Sequence, residues 1–116
     1  MSILTQATYA GRTETKQLFA RVRDNQRQYR LCAMQLCDAR EEETNILEKM
    51  CAATGSNNIE VHIELKKDLE RIIRAIKDIK TAFMSSMQMS NTLIAEMHKQ
   101  VGRNLELAGS ASASLH

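Results

Sequence analysis

The sequence predicts an all-α protein built from two long helices, which form a coiled coil or a hairpin and end in a flexible C-terminal tail. Two observations support this prediction. The chain of 116 residues has no proline, four glycines, two tyrosines and two phenylalanines, so it lacks the turn residues and bulky core residues of a multi-element fold. Its apolar residues also recur at alternating intervals of four and three, a rhythm typical of helices that pack against other helices.

The first half of the chain divides into a lead-in and a long helix. Residues 1–12 are mixed in character and contain Gly11, which predicts a frayed or separately packed lead-in. Helix-forming residues dominate residues 13–54, which are predicted to form the first long helix. One heptad row of this helix holds Leu18, Cys32, Ala39, Ile46 and Ala53, and the other holds Val22, Tyr29, Leu36 and Met50. Asn25 and Glu43 place polar groups in the same rows, where matching polar groups can fix helix register or partner choice.

A turn over residues 55–58 separates the two predicted helices. Gly55 is suited to the left-handed backbone conformation that ends a helix, and Asn57 with Glu60 resembles an N-terminal capping pair. The second long helix is predicted over residues 59–107. Residues 108–116 are small and polar, which predicts a flexible tail.

The second helix carries the clearest seam in the chain. In heptad lettering, d positions hold Leu65, Ile72 and Ile79, and a positions hold Leu69, Ile76 and Phe83. Beyond Phe83 the apolar residues are Met87, Ile94 and Val101 beside Met97, a drift of one residue that predicts a straighter helix. The sequence therefore predicts a partner interface formed by Val22, Tyr29, Leu36, Met50, Leu65, Lys66, Asp68, Leu69, Ile72, Ile73, Ile76, Ile79 and Phe83.

Charged and apolar residues flank this seam in a way that suits selective pairing. Lys66 at e and Asp68 at g lie on opposite sides of Leu69, while Lys67 at f faces water. Ile73 at e widens the apolar stripe beyond what two helices need, which favours contact with more than one neighbour. An ordinary solvated helix face with an i,i+4 ion pair is the alternative interpretation of the same pattern.

The string from Lys66 to Lys80 resembles the signature of the KxDL-motif proteins. The resemblance rests on Lys66-x-Asp68-Leu69, followed by Ile72, Arg74, Ile76, Ile79 and Lys80. Proteins of that family are helical subunits of the BLOC-one-related complex (BORC), a cytosolic assembly on lysosomes. The resemblance implies a non-catalytic subunit that assembles with other small helical subunits. It also implies that the assembly lies on the cytosolic face of the lysosomal membrane and recruits an Arf-like small GTPase and kinesin to move lysosomes.

The residues do not predict an enzyme, a cofactor or a metal site. Glu41, Glu42 and Glu43 are consecutive and would splay around a helix, and no glycine-rich phosphate loop is present. Cys32 and Cys37 do not have the spacing of a zinc or redox pair, so we expect small apolar residues in a reducing compartment. Neither a signal peptide nor a membrane span is expected, so any membrane association would be indirect.

Two other functions fit parts of the pattern. A cytosolic coiled-coil tether or membrane-fusion component would use the same helical seam reversibly. A nucleic-acid-binding helix would use the basic stretch of Arg21, Arg23, Arg27 and Arg30. We do not expect nucleic acid or a small molecule as the partner, because the net charge is only +2 and the predicted turn interrupts the zipper that such a basic helix needs.

Overall fold

The computed structural model describes the backbone of residues 3–114 and the side chains of residues 11–109. It contains two α-helices over this range, α1 (Ile3–Ala52) and α2 (Ile59–Ser114). The predicted all-α fold of two long helices is therefore confirmed. Neither helix carries an apolar stretch long enough to cross a bilayer within the described residues.

Both outer helix ends lie beyond their predicted positions. α1 begins at Ile3 and runs through Gly11, so residues 3–12 of the region that the sequence predicted as a frayed or separately packed lead-in have a helical backbone. Residues 1 and 2 lie outside the described residues. Gly11 is buried, and a Cβ atom there would lie 3.2 Å from Oδ1 of Asn104, so close packing explains this glycine. α2 continues past Leu107 to Ser114, so most of the predicted tail has a helical backbone. Residues 115 and 116 lie outside the described residues.

The connection between the helices follows the chemistry of its residues. Gly55 adopts a φ of 88°, and Ser56 N donates to the carbonyl of Ala53 at 2.9 Å. α2 begins at Ile59, but its cap is Asn58 and not the predicted Asn57. The Asn58 Oδ1 accepts a hydrogen bond from Val61 N at 3.4 Å, which satisfies one of the free amides of the first turn.

The described residues divide into two packing units. The turn unit is residues 28–85, where the end of α1 packs antiparallel against the start of α2. Its core consists of Ala39, Ile46, Ile72 and Ile76, and partly buried neighbours surround that cluster. Tyr29 and Phe83 add an aromatic contact, with ring centroids 4.6 Å apart.

The terminal unit comprises residues 3–27 and 86–114. Here the start of α1 packs antiparallel against the end of α2, and the buried apolar side chains are Leu18 and Leu93. Ser86 and Gln100 of this unit are also buried, at 4% and 6% exposure. The terminal unit therefore packs through a mixture of apolar and polar side chains.

Candidate partner-binding surface

Most residues of the predicted interface lie in the seam between the chain's own helices. Ile72 and Ile76 are 2% and 4% exposed because α1 covers them. We therefore reassign these two residues from a partner interface to an intramolecular seam. Other predicted interface residues pack against the same core in the turn unit: Leu36, Met50, Leu69 and Ile79. Leu65 and Phe83 of this unit, and Val22 of the terminal unit, are half-buried.

The remaining predicted interface residues keep free surface. Lys66 and Asp68 are exposed, and Ile73 is 50% exposed. Tyr29 is 38% exposed although its ring contacts Phe83. These four residues of the turn unit can reach a partner without any opening of the two-helix seam.

In the terminal unit the seam alternates apolar and polar residues, and of its polar residues only Asn25 was predicted from the sequence. The heptad of α2 continues without drift, through Ser86, Ser90, Leu93, Met97, Gln100 and Asn104. The sequence predicted that the apolar stripe drifts to Met87, Ile94 and Val101 beside Met97, but the first three side chains are exposed. The predicted drift is wrong, because the seam keeps its heptad positions and fills several of them with polar side chains. The heptad spacing alone could have identified Ser86 and Gln100.

Asn25 forms the first polar layer of the terminal unit. Its Nδ2 donates to the Ser86 carbonyl at 3.1 Å and to the Ser90 hydroxyl at 2.9 Å. The Ser86 hydroxyl donates to Asn25 Oδ1 at 3.2 Å. Asn25 therefore faces matching polar groups, which is the condition under which a polar seam residue can fix helix register.

Asn104 forms the second polar layer. Its Nδ2 donates to the Thr15 hydroxyl at 3.2 Å, and its Oδ1 accepts from Gln100 Nε2 at 3.1 Å. The Thr15 hydroxyl donates in turn to the Gly11 carbonyl at 2.7 Å. Among the described side chains, no buried nitrogen or oxygen atom lacks a hydrogen-bond partner, so the cost of burying these polar groups is offset.

The g and c flank of α2 carries ion pairs to α1 in both units. In the turn unit, Arg71 Nη2 donates to Glu42 Oε1 at 2.6 Å. This hydrogen bond raises the pKa of Arg71 above its ordinary value, and the nearby charge of Asp68 adds a smaller effect in the same direction. Exposed ion pairs of this kind contribute little to the free energy of folding. They favour one alignment of the two helices and keep the g and c flank of α2 hydrated.

The terminal unit has ion pairs to α1 at the g positions of its own part of α2. Arg21 Nη1 pairs with Glu96 at 2.9 Å, and Arg103 Nη1 lies 3.8 Å from Glu14. Arg21 belongs to the basic stretch on which the nucleic-acid alternative rests, and Arg27 of the same stretch lies 3.9 Å from Asp24. Nearby carboxylates therefore offset part of that positive charge.

The opposite flank of α2, at positions e and b, carries exposed apolar side chains, which in the turn unit are interspersed with charged residues. In the turn unit it presents the turn-unit outer row, which consists of Ile59, Ile63, Ile73 and Met84. In the terminal unit it presents the terminal-unit outer row, which consists of Met87, Ile94, Val101 and Leu105. Exposed apolar side chains in an ordered row are typical of protein–protein contact surfaces. In each unit, the g and c flank of α2 thus forms ion pairs with α1. The apolar side chains of the e and b flank have no apolar neighbour to cover them.

The described side chains were compared with the arrangements that bind metal ions. No group of three or more His, Cys, Asp or Glu residues among them is arranged to hold a metal ion. Cys32 is buried in the seam, while Cys37 and Cys51 are exposed thiols. No protein-family model matches this chain, and neither a curated protein nor a solved structure is significantly similar to it. The case for any function therefore rests on the surface described above.

Proposed function

We propose that this chain is a non-catalytic helical subunit of a hetero-oligomeric assembly, held to other subunits by the two outer rows of α2. The observation that carries the proposal is the asymmetry of α2. Its g and c flank makes ion pairs with α1, whereas its e and b flank presents apolar side chains to water, among them Ile59 at 71% exposure and Met84 at 61%. Burying such a row against another helix is favourable by about 25 cal/mol per Å².

We further propose that the assembly is of the BORC type and acts in lysosome positioning. This part rests on the resemblance of Lys66-x-Asp68-Leu69 and the following isoleucines to the KxDL signature. The exposure of Lys66 and Asp68 supports it, because motif residues that are free of the intramolecular seam can contact another subunit. The subunit would help to recruit an Arf-like small GTPase and kinesin from the cytosolic face of the lysosome.

Affinity purification of the tagged chain from its native cells tests the proposal. We expect small helical proteins to co-purify with the unchanged chain at moderate salt. Ile73→Asp or Ile94→Asp should remove these proteins, because each change places a charge on an apolar contact surface. Lys67→Asp, at an exposed f position, is the matched control and should retain them. Circular dichroism of each variant checks that the helices remain folded.

The outcome distinguishes the competing functions. Companions from the lysosomal surface would support the BORC-type assembly, whereas vesicle-fusion proteins would replace it with the tethering alternative. Nucleic acid that is released steeply with salt would favour the basic-helix alternative. A chain that purifies alone as a stable helical monomer, with or without the outer-row substitutions, would contradict the proposed subunit role.

A further inference from the structure

A groove in the turn unit joins the outer row to a basic rim. Its floor includes Ile73, Ile76 and Met84, and its volume is about 340 Å³. Ile73 and Met84 are half or more exposed, so the floor of the groove is open to water. Lys77 and Lys80 stand beside the floor, and Arg40 lines the α1 side.

The charge of this rim is unbalanced. The Arg40 Nη1 donates to Glu43 Oε1 at 3.0 Å, so these two rim residues neutralise each other. Lys77 and Lys80 have no such partner: no described carboxylate lies within 4.0 Å of either ammonium group. Neither lysine has an acidic residue three or four positions away on α2. Two uncompensated positive charges therefore lie beside an apolar floor.

We infer that this groove binds an amphipathic helix of a partner protein whose apolar residues are flanked by carboxylates. The inference rests on the proposed subunit role and names the chemistry of the partner. Ile73 and Met84 are separated by about three helical turns, which suits a helix that anchors through apolar residues at i, i+4, i+7 and i+11. Leu47, one heptad after Arg40, is also exposed, and it extends the apolar surface on the α1 side.

A second copy of this chain is a poorer occupant of the groove. A two-fold symmetric contact would place the same surface on both sides. Such a contact would bring Lys77 and Lys80 of one copy close to the same lysines of the other, and like charges across an interface are unfavourable. An acidic helix instead supplies the counter-charge that the groove lacks.

Peptide binding to the full chain tests the inference. The probes are two labelled three-heptad peptides with leucine at a and d, one with glutamate at e and g and the other with lysine. Fluorescence anisotropy should show that the glutamate peptide binds on the order of tenfold more tightly than the lysine peptide, and that the preference weakens with salt. Equal affinity for both peptides, or no binding of either, would overturn the inference.

Charge reversal locates the site. Lys77→Glu with Lys80→Glu should reverse the preference between the two peptides. Lys49→Glu with Lys67→Glu makes the same change in net charge at exposed positions of the turn unit outside the groove, and it should leave the preference intact. A preference that survives reversal of Lys77 and Lys80 would contradict the groove as the site. A dimer of the unchanged chain that Ile73→Asp dissociates would show that a second copy occupies the groove.

Co-purification separates failure of this inference from failure of the proposed function. If reversal of Lys77 and Lys80 retains every companion protein while Ile73→Asp removes them, the subunit role stands and the acidic partner is overturned. If Ile73→Asp and Ile94→Asp also retain every companion, the outer rows are not contact surfaces and the subunit proposal fails as well. Loss of the same companion on charge reversal and on Ile73→Asp supports both.

Discussion

The turn unit and the terminal unit share one heptad spacing but fill it with different chemistry. In the turn unit, Ile46, Ile72 and Ile76 form a dry core with Ala39. In the terminal unit, the equivalent positions hold Asn25 facing Ser86 and Ser90, and then Asn104 with its own partners. The same two helices therefore use apolar burial in one unit and satisfied polar layers in the other.

The two kinds of seam should contribute differently to stability and to the register of the two helices. Apolar burial is not directional, so an isoleucine seam would tolerate displacement by a heptad with modest loss. A buried asparagine tolerates much less, because displacement leaves its donors and acceptors without partners. We therefore expect the turn unit to supply most of the folding free energy, whereas Asn25 and Asn104 specify which residues of the two helices face each other.

Truncation of the dry core should have the largest effect. Ile76→Ala removes methylene groups from a side chain that is 4% exposed and leaves a cavity among its neighbours. We expect the free energy of unfolding to fall by about 2–4 kcal/mol, measured by urea denaturation at fixed protein concentration. Ile73→Ala is the matched control, because the same side chain is half-exposed there, and it should change stability by about 0.5 kcal/mol or less. Equal losses at the two positions would contradict the assigned seam.

Removal of a polar layer should lower the free energy of unfolding by a smaller amount, and the loss of protection should be confined to the terminal unit. Asn25→Ala leaves the buried Ser86 hydroxyl without its side-chain partner, which costs about 1–2 kcal/mol. Amide hydrogen exchange should accelerate near Ser86 and Ser90, whereas amides near Ile72 should keep their protection.

An apolar replacement of this layer tests the register role directly. Asn25→Leu combined with Ser86→Ala and Ser90→Ala removes every side-chain polar group of the layer together. We expect stability equal to or above that of the unchanged chain, because no buried polar group is left unpaired. The cost should appear as loss of unique register, measured by the distribution of distances between spin labels on the two helices. A single sharp distance in this triple variant would show that Asn25 does not set register.

The apolar seam of the turn unit could be predicted from the sequence. The polar layers of the terminal unit could be predicted only in part. From Leu65 to Phe83 every a and d position is apolar, so periodicity alone identified Ile72 and Ile76 as seam residues, although it assigned that seam to a partner. Beyond Phe83 several seam positions hold serine, glutamine or asparagine, and only Leu93 and Met97 between them are apolar. A search for apolar periodicity there follows Met87 and Ile94, which the structure leaves exposed. Only Asn25 gave a usable signal, because it interrupts an otherwise apolar row.

The candidate surface has a similar limit. The widening of the stripe at Ile73 was visible in the sequence, and it correctly indicated apolar surface beyond the two-helix seam. The groove itself was not visible, since it depends on Arg40 of α1 lying beside Lys77 and Lys80 of α2. Residues so far apart in sequence meet only once the antiparallel pairing is known. The neutralisation of Arg40 by Glu43, which leaves the two lysines uncompensated, depends on side-chain geometry as well.

The glycines of the terminal unit give the smallest expected effect and the finest test of its packing. At Gly102 an added Cβ atom meets no heavy atom within 4 Å, so Gly102→Ala should stabilise α2 by about 0.5–1 kcal/mol through helix propensity alone. At Gly11 the added atom would lie 3.2 Å from Asn104 Oδ1, which already accepts a hydrogen bond from Gln100. Gly11→Ala should therefore lose most or all of the same gain, because Asn104 must move and loosen its polar layer. Urea denaturation of both variants measures the difference, and hydrogen exchange near Asn104 should accelerate only in Gly11→Ala. Equal stabilisation by the two substitutions would mean that Gly11 does not pack against α2 as closely as the structure places it.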